Sequence, residues 1–364
     1  MRGWLAELAR RVRLWHAQEG PRAKALLCWG IFRRADALRS HPRATATASS
    51  SALSFSRRKC LVVLCFAAVS VRAYAGVYYV TVAGLGGEPD YEQRFTAAAR
   101  DLDRVFKGSG SGAHVVTLSG KDATRARLTE VLASVAREAK AEDDFVLVLI
   151  GHGSFDGVEY KLNLVGPDVS GAELAGMCDR IAARRQLIVN TTSASGGSMA
   201  ALRRPGRGVV ASTKTGTEKN ATVFARYWVE GLQDPAADVD KSDSVSAMEA
   251  FQYADRKTAA FYESQKRLAT EHAVFEDTGR GEAVRAASGS EGALLSTFTI
   301  LRTGASQKAA NDPARQQLLA KKEDLEQKID VLKYGKAAMD PAEYKKQLTD
   351  ALVQLAQVQQ ELDK

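Results

Sequence analysis

Cysteine is scarce in this sequence, and its positions exclude a fold held together by disulfides. Four of the 364 residues are cysteine, and Cys28, Cys60 and Cys65 all precede residue 76. The remainder of the chain contains Cys178 alone, which cannot form an internal disulfide. Because this remainder is long enough to bury a sizeable core, we expect hydrophobic burial to stabilise it.

An excess of basic residues is also absent from most of the chain, although the net charge of the whole sequence is +8. Residues 1–75 contain 14 Lys and Arg against 3 Asp and Glu, whereas the later residues contain 37 against 40. Nucleic-acid binding requires an excess of positive charge on the folded surface. The sequence therefore predicts no nucleic-acid partner.

No apolar run reaches the length of a transmembrane helix. The run Cys60–Val71 would span about 18 Å as a helix, short of the roughly 30 Å of a bilayer core. We therefore predict no membrane span in the mature chain. A basic triplet at 57–59 precedes this run and Ala-Tyr-Ala at 73–75 follows it, which is the pattern of a secretory signal peptide.

Residues 57–75 are accordingly predicted to be a signal peptide, so that the mature protein is periplasmic or extracellular. The alternative is that the apolar run forms a buried strand or helix. Residues 1–56 are rich in Arg, Ala and Ser. We interpret them as a non-structural extension, either an artefact of start-site assignment or a disordered targeting segment.

Residues 76–303 alternate between short apolar runs and amphipathic helical segments. The six apolar residues 145–150 have no polar alternation, which is typical of a central strand covered on both faces. Phe95, Leu102 and Phe106 illustrate the helical spacing of apolar residues between such runs. This rhythm predicts an α/β sandwich with a mostly parallel central sheet. The glycine-rich segment 84–89 is interpreted as a turn.

Residues 312–364 differ in composition and predict an α-helical hairpin with coiled-coil spacing. Asp312 and Asp340 are each followed by proline, which is typical of a helix start, and Gly335 ends the first helix. The apolar seams must bury against each other, the main domain or another subunit, so self-association through 312–364 is one prediction. The seams contain Leu318, Leu325, Ile329 and Leu332, and Leu348, Leu352, Leu355, Val358 and Leu362.

Two glycine-containing loops follow buried strands. Gly-His-Gly at 151–153 ends one of them, and Asn-Thr-Thr-Ser-Ala-Ser-Gly-Gly-Ser at 190–198 ends the next. Because the carboxyl ends of parallel strands meet at one edge of a sheet, we expect these loops to lie together. His152 would then accept a proton from a nucleophile on the second loop, and the Gly153 N–H would donate to an oxyanion. The alternative for His152 is a turn histidine that caps a carbonyl.

Together these loops resemble the caspase/legumain/metacaspase superfamily of cysteine peptidases, in which one strand ends in His-Gly and the next in Asp-Ala-Cys-x-Ser-Gly. Ser195 and Gly196 match the family's Ser-Gly pair, which places Ser193 at the position of the cysteine. The resemblance implies an exported bacterial member with a caspase-hemoglobinase-like three-layer sandwich and a peptide or protein as substrate or ligand. It also implies His152 and Ser193 as the dyad, Gly153 as oxyanion donor, and Ser195 and Gly196 in substrate binding.

Serine in place of the nucleophilic cysteine leaves the activity open. A thiolate forms near neutral pH, whereas a serine needs a well-placed base and usually a carboxylate that orients that base. Cys178 lies within a predicted helix among apolar residues, so we interpret it as an inert buried thiol. Three alternatives remain: an atypical peptidase that uses Ser193, a pseudoenzyme that binds peptide without cutting it, and an envelope scaffold that acts through the hairpin. The sequence predicts no cofactor.

One acidic segment has the spacing of a calcium-binding loop. Five oxygen-bearing residues occupy positions one, three, five, nine and twelve of an EF-hand: Asp238, Asp240, Ser242, Ser246 and Glu249. Asp243 stands at the sixth position, where an EF-hand needs glycine for its turn. The alternative to a metal site is a capping box, in which Ser246 and Glu249 begin the helix that follows.

Overall fold

The computed structural model describes residues 75–110, 112–288, 290–312 and 314–363. The predicted extension 1–56, and all of the predicted signal peptide 57–75 except Ala75, lie outside the described residues. Within the part that is described, none of the helices is both long enough and apolar enough to cross a bilayer.

The strands form a central six-stranded sheet and two smaller sheets. Numbered along the chain, they are β1 Val77–Ala83, β2 Ala113–Leu118, β3 Asp144–Ile150, β4 Gly153–Phe155, β5 Tyr160–Leu162, β6 Val169–Ser170, β7 Arg185–Asn190, β8 Arg207–Ala211, β9 Ser244–Ser246, β10 Val274–Glu276 and β11 Thr299–Arg302. The central order is β10, β8, β7, β3, β1, β2, and every neighbouring pair is parallel except β10 with β8. The predicted mostly parallel sheet is confirmed, with β10 as an antiparallel edge that the sequence does not predict.

Helices cover both faces of this sheet. They are α1 Pro89–Lys107, α2 Arg125–Glu138, α3 Gly171–Cys178, α4 Met199–Leu202, α5 Phe224–Gly231, α6 Ala247–Ser264, α7 Ala293–Thr297, α8 Gly304–Ala310, α9 Gln316–Gly335 and α10 Pro341–Leu362. Phe106 of α1, Trp228 of α5 and Phe251 of α6 belong to the core on one face, and Leu132 of α2 and Leu174 of α3 to the core on the other. This three-layer α/β sandwich fits the caspase-hemoglobinase-like fold expected from the sequence.

β3 lies inside the sheet, and its position explains its apolar sequence. All seven of its residues are buried. Phe145 and Leu147 contribute to the core on one face, and Val146 and Val148 to the core on the other. Because successive side chains point to opposite faces, a strand covered on both sides has no place for alternating polar residues.

The first strand is bonded to the last strand of the sandwich. The Tyr79 hydroxyl of β1 donates to the Ile300 carbonyl of β11 at 2.7 Å, across 221 positions of sequence. Burial raises the pKa of Tyr79 to about 12, so the hydroxyl keeps its proton and stays a donor. The Tyr79 ring also stacks on Phe106, with the ring centres 4.2 Å apart.

The predicted C-terminal helical hairpin is confirmed as α9 followed by α10. Asp340 caps α10 as the sequence predicts, because its carboxylate accepts the N–H groups of Ala342 and Glu343. Arg302 of β11 forms an ion pair with Glu323, which joins α9 to the sandwich. The buried apolar residues of the hairpin include Leu319, Leu325, Ile329, Leu332, Ala351 and Val358.

Two predicted helix boundaries are wrong. The helix predicted around Cys178 ends at that residue and does not continue past it, and the Cys178 carbonyl accepts a hydrogen bond from the Gln186 side chain at 3.0 Å. The first hairpin helix begins at Gln316 and not directly after Asp312. The Asp312 carboxylate accepts a backbone N–H two residues further on, which forms a turn ahead of the helix.

Candidate active site at the carboxyl ends of the central strands

β3 and β7 are neighbours in the sheet and bring the two glycine-containing loops together. Leu149 is in register with Asn190, so both chains leave the sheet at the same edge. The Gly153 nitrogen lies 3.2 Å from Ser193 Oγ. Gly153 and Ser193 therefore lie together on adjacent loops, and the role of His152 and Ser193 as a catalytic pair stays a prediction.

The Ser193 hydroxyl is bound to the backbone of Gly153 on both sides. It accepts the Gly153 N–H at 3.2 Å and lies 3.3 Å from the Gly153 carbonyl, to which it donates. The whole residue is only 2 % exposed. In this arrangement the N–H expected to stabilise an oxyanion is directed at the serine itself.

Gly153 is the residue that permits this close approach. A Cβ atom built there would lie 2.5 Å from the Ser193 carbonyl oxygen and 2.5 Å from Cε2 of Tyr160. Both distances are far shorter than van der Waals contact, so a larger residue cannot occupy the position without moving the loop. The glycine after His152 is thus required by packing in this fold.

The His152 ring packs against two aromatic rings of α1. Its centre lies 4.8 Å from that of Tyr91 and 5.1 Å from that of Phe95, both edge to face. Burial lowers the pKa of His152 below its ordinary value, a hydrogen bond to the Gly86 backbone opposes this, and Arg94 adds to the lowering. His152 is therefore neutral at neutral pH, as a general base must be.

The segment 84–89 after β1 orients His152, a contact that the sequence does not reveal. The hydrogen bond with Gly86 favours the charged imidazole, so the ring donates and the Gly86 carbonyl accepts. The Gly86 N–H in turn donates to the Glu92 carboxylate at 2.9 Å. A Cβ at Gly86 would lie 2.4 Å from the Glu92 nitrogen, so the two residues fix one another. This segment is more than a turn, because it contacts the predicted base.

Polar side chains around Ser193 form a buried network that we name the hydroxyl cluster. Thr192 Oγ1 donates to Asn190 Oδ1 at 2.8 Å and lies 2.7 Å from the Tyr160 hydroxyl. Asn190 Nδ2 donates to Ser198 Oγ at 3.0 Å. The members of the cluster, each at most 2 % exposed, are Tyr160, Asn190, Thr192, Ser193, Ser195, Ser198, Ser212 and Thr213.

Ser195 and Gly196 join this loop to the one that follows β8. Ser195 Oγ lies 3.1 Å from both the Ser212 and Thr213 hydroxyls, and the Gly196 N–H donates to Thr213 Oγ1 at 2.9 Å. A Cβ at Gly196 would lie 2.4 Å from the Lys214 carbonyl carbon. Their role in substrate binding stays a prediction; in this structure both residues hold the loop in shape.

Ala194 adopts a conformation that residues other than glycine rarely take. Its φ is +55°, in the left-handed region, and it is fully buried. Its N–H donates to the Glu218 carbonyl at 2.8 Å. The Glu218 carboxylate lies 2.6 Å from Nδ1 of His272, a second histidine near the loop that sequence reasoning does not identify.

Cys178 lies outside this site, in the core between the sheet and α3. It is fully buried, and burial raises the pKa of its thiol to about 12. The thiolate is therefore not formed near neutral pH. This agrees with its interpretation as an inert thiol.

The residues of the predicted calcium loop come together in part. Carboxylate oxygens of Asp238, Asp240 and Glu249 all lie within 4.8 Å of one another. The capping box is also present, with Ser246 Oγ accepting the Glu249 N–H and Glu249 accepting the Ser246 N–H. Ser242 Oγ bonds to a neighbouring serine at 2.8 Å. The helix-capping interpretation of Ser246 and Glu249 is thus confirmed.

The chain is distantly similar to several solved structures. No protein-family model and no curated protein matches its sequence. The initiator caspase Dronc of Drosophila is 13% identical with a TM-score of 0.38, over 57% of this chain and 81% of that one. Protein GSU0716 from Geobacter sulfurreducens is 14% identical with a TM-score of 0.39, over 56% and 92%. Caspase-1 from Spodoptera frugiperda is 11% identical with a TM-score of 0.41, over 56% and 87%.

Proposed function

We propose that this chain is a caspase/legumain-like peptidase-fold protein with a degenerate site, which binds a peptide or protein segment without cutting it. The contact between Gly153 and Ser193 on adjacent loops supports the assignment of His152 and Ser193 to the dyad positions. The proposal is carried by one observation, the hydrogen bonds of the Ser193 hydroxyl. An atypical peptidase that uses Ser193 is the alternative.

Hydrolysis by Ser193 requires two groups that its hydrogen bonds already occupy. The hydroxyl proton has to pass to a base, yet the hydroxyl donates to the Gly153 carbonyl. The Gly153 N–H has to stabilise the oxyanion, yet it donates to the same hydroxyl. A serine is a much weaker nucleophile than a thiolate and depends on both conditions. The arrangement therefore favours binding over catalysis.

The group that orients His152 also favours a site without serine catalysis. The ring bonds to the backbone carbonyl of Gly86, which carries no net charge, and the Glu88 carboxylate has a smaller effect on the ring than this bond. In serine hydrolases a carboxylate holds the imidazole and stabilises the imidazolium that forms on proton transfer. A neutral carbonyl stabilises that cation less, so proton transfer from Ser193 to His152 is disfavoured.

The loop after β8 offers a surface for an extended ligand beside the site. Lys214, Thr215 and Thr217 are exposed. This loop is held in place by two hydrogen bonds: Thr213 accepts the Gly196 N–H, and the Glu218 carbonyl accepts the Ala194 N–H. An exposed segment that is held in place can contact an extended peptide through its side chains at little entropic cost.

Fluorophosphonate labelling of the mature protein beginning at Gly76, followed by mass mapping, tests the proposal. We expect no adduct at Ser193 in protein whose folding is verified by circular dichroism. An adduct at Ser193 that disappears in the His152→Ala variant would overturn the proposal and establish a serine hydrolase.

The Ser193→Cys variant asks whether the rest of the site is still competent. We expect the introduced thiol to react with iodoacetamide faster than Cys178, which is fully buried. If His152 still serves this position, adding His152→Ala slows the reaction, because the thiolate loses its cationic partner. Equal rates with and without His152 would mean that His152, like the nucleophile, has lost its catalytic function.

We also propose that the protein is exported to the periplasm or outside the cell. The basic, apolar and small-residue segments that end at Ala75 support this. N-terminal sequencing of the protein recovered from those fractions is expected to begin at Gly76. A product that retains residues 57–75 would contradict export by cleavage.

A scaffold that self-associates through residues 312–364 is a second candidate function. Apolar side chains exposed on the hairpin favour it, with Val331 56% and Val353 51% exposed. Light scattering of the mature chain is expected to give a dimer or larger species that the Val353→Glu variant shifts toward monomer. A monomer at all concentrations would exclude this function.

A further inference from the structure

A cavity of about 200 Å³ separates α9 from the α/β sandwich, and carboxylates line it from both sides. Asp240, in the loop before β9, and Glu249, at the start of α6, face it from the sandwich. Glu323, Glu326 and Asp330 face it from α9. We name this space the acidic cavity. It is part of the contact that attaches the C-terminal hairpin to the rest of the chain.

Cationic groups offset only part of this negative charge. Arg302 pairs with Glu323 at 3.0 Å, Lys333 with Asp330 at 3.0 Å, and Lys322 with Glu326 at 3.6 Å. The Lys322 side chain is buried. Its ammonium group donates to two neutral oxygens, the Ser242 carbonyl and the Ser306 hydroxyl, in addition to its ion pair with Glu326.

The carboxylates on the sandwich side accept hydrogen bonds from uncharged backbone N–H groups. Asp238 and Asp240 both accept the Ser242 N–H at 3.0 Å, and Glu249 accepts the Val239 N–H at 2.8 Å. Lys241, the cation within this loop, donates instead to the carbonyls of Asp238 and Pro235. Backbone donors do not cancel a charge, so full ionisation would place several like charges around one cavity.

Protonation of the carboxyl groups would relieve this repulsion. Burial raises the pKa of Glu326 to about 8; Lys322 opposes the shift, while Asp240 and Glu323 add to it. Burial also raises the pKa of Asp330 above its ordinary value. When α9 leaves the sandwich, these groups become hydrated and ionise.

We propose that the contact between α9 and the sandwich across the acidic cavity is a proton-operated latch, closed in acid and loosened in alkali. The inference is independent of whether Ser193 is catalytic, since it concerns the opposite end of the sequence. α9 and α10 contact each other, and the hairpin buries apolar residues such as Ile329 and Val358, which do not titrate. The hairpin therefore leaves the sandwich as a unit.

The direction of the effect follows from proton linkage. A carboxyl group whose pKa is raised in the docked state binds a proton that the undocked state releases. Docking is thus most favourable below the ordinary glutamate value of 4.5, and it weakens as the pH rises toward about 8. One such proton changes the ratio of undocked to docked hairpin by at most about tenfold per pH unit.

A distance measurement between two spin labels on the mature chain tests the latch. One label is attached at Gln357→Cys on α10 and the other at Arg137→Cys on α2, both exposed positions. Cys178 is buried and stays unlabelled. In buffer with EDTA, we expect one distance at pH 5 and a second, longer one whose share grows up to about tenfold per pH unit toward pH 8.

Two variants and a control decide whether the acidic cavity is responsible. Glu326→Gln should keep the short distance at every pH, and Asp240→Asn, on the other side of the cavity, should reduce the response. Glu361→Gln, an exposed carboxylate on α10, should leave the wild-type response unchanged. A single distance at all pH values in the wild type, or an equal response in Glu326→Gln, would overturn the proposal.

Discussion

The hydroxyl cluster and the acidic cavity are both polar regions of the interior, and they differ in how they are satisfied. In the hydroxyl cluster, neutral donors and acceptors pair with each other, as Thr192 does with Asn190 and Tyr160. In the acidic cavity, the carboxylates outnumber the cations that pair with them, and burial raises the pKa of Glu326 to about 8. The first can be rigid at any pH, whereas the second is stable only while it stays protonated.

The largest expected effect comes from Gly153→Ala, because the added methyl group would clash with residues of the hydroxyl cluster. The added Cβ would lie 2.5 Å from the Ser193 carbonyl oxygen and from the Tyr160 ring. We expect the free energy of unfolding to fall by about 3 kcal/mol, measured by urea denaturation. Gly176→Ala is the control, because a Cβ in that helix meets nothing within 4 Å and is expected to be neutral or stabilising.

Thr192→Val removes one hydroxyl while keeping the shape of the side chain. Asn190 and Tyr160 would each lose a buried partner, so we expect a loss of about 2 kcal/mol in the free energy of unfolding. Thr349→Val on the exposed face of α10 should change it by less than about 0.5 kcal/mol.

The comparison of the two regions adds a pH condition to this prediction. Because the hydroxyl cluster is uncharged, the loss in Thr192→Val should be the same at pH 5 and pH 8.5. If the loss in the free energy of unfolding differs strongly between pH 5 and pH 8.5, the hydroxyl cluster is coupled to titrating groups. The cluster would then not differ from the acidic cavity in its response to pH.

Ser193→Ala distinguishes a structural serine from a catalytic one. Removing the hydroxyl leaves the Gly153 N–H without its acceptor, so we expect the free energy of unfolding to fall by about 1 kcal/mol. Active-site residues held for function often show the opposite, a gain in stability on removal. Ser264→Ala, which loses an exposed hydroxyl bonded to a carbonyl, is the control and should have a smaller effect. A stabilised Ser193→Ala protein would favour the active peptidase.

The smallest expected effect concerns the ionisation of His152. Its pKa should lie below the ordinary histidine value in an NMR titration of the ring protons, because the ring is partly buried. Arg94→Gln should raise that pKa, since a neighbouring positive charge is removed. Arg104→Gln, further along the same helix and paired with Asp101, serves as the control and should leave it unchanged. A His152 pKa at or above the ordinary value would contradict the described packing of Tyr91 and Phe95 on the ring.

The sequence predicts the parts of this fold that depend on local pattern. The apolar residues 145–150 identify β3, and the order of the loops after β3 and β7 places Gly153 next to Ser193, because parallel strands share an edge. The contact between Gly86 and His152 is different in kind. It depends on how closely two loops approach in three dimensions, and the glycines of 84–89 indicate only that some close approach occurs there.

Other features are missing from the sequence prediction for physical reasons. β10 has three residues, too few to show a period, and it is defined by its pairing with β8. The charged residues of α9 are typical of a solvated helix face, so Glu326 gives no sign that it will face Asp240 across a cavity. Burial of like charges is a property of the docked arrangement and not of helical spacing.

The bond between Tyr79 and Ile300 has a consequence for the time at which this protein folds. The first strand of the sandwich completes its packing only with a carbonyl that lies 221 positions later. A long-range contact of this kind costs loop-closure entropy before it contributes to stability, and this cost slows folding. We therefore expect the chain to emerge from synthesis without a finished core. Such a chain remains unfolded for longer, as the export that we propose for it requires.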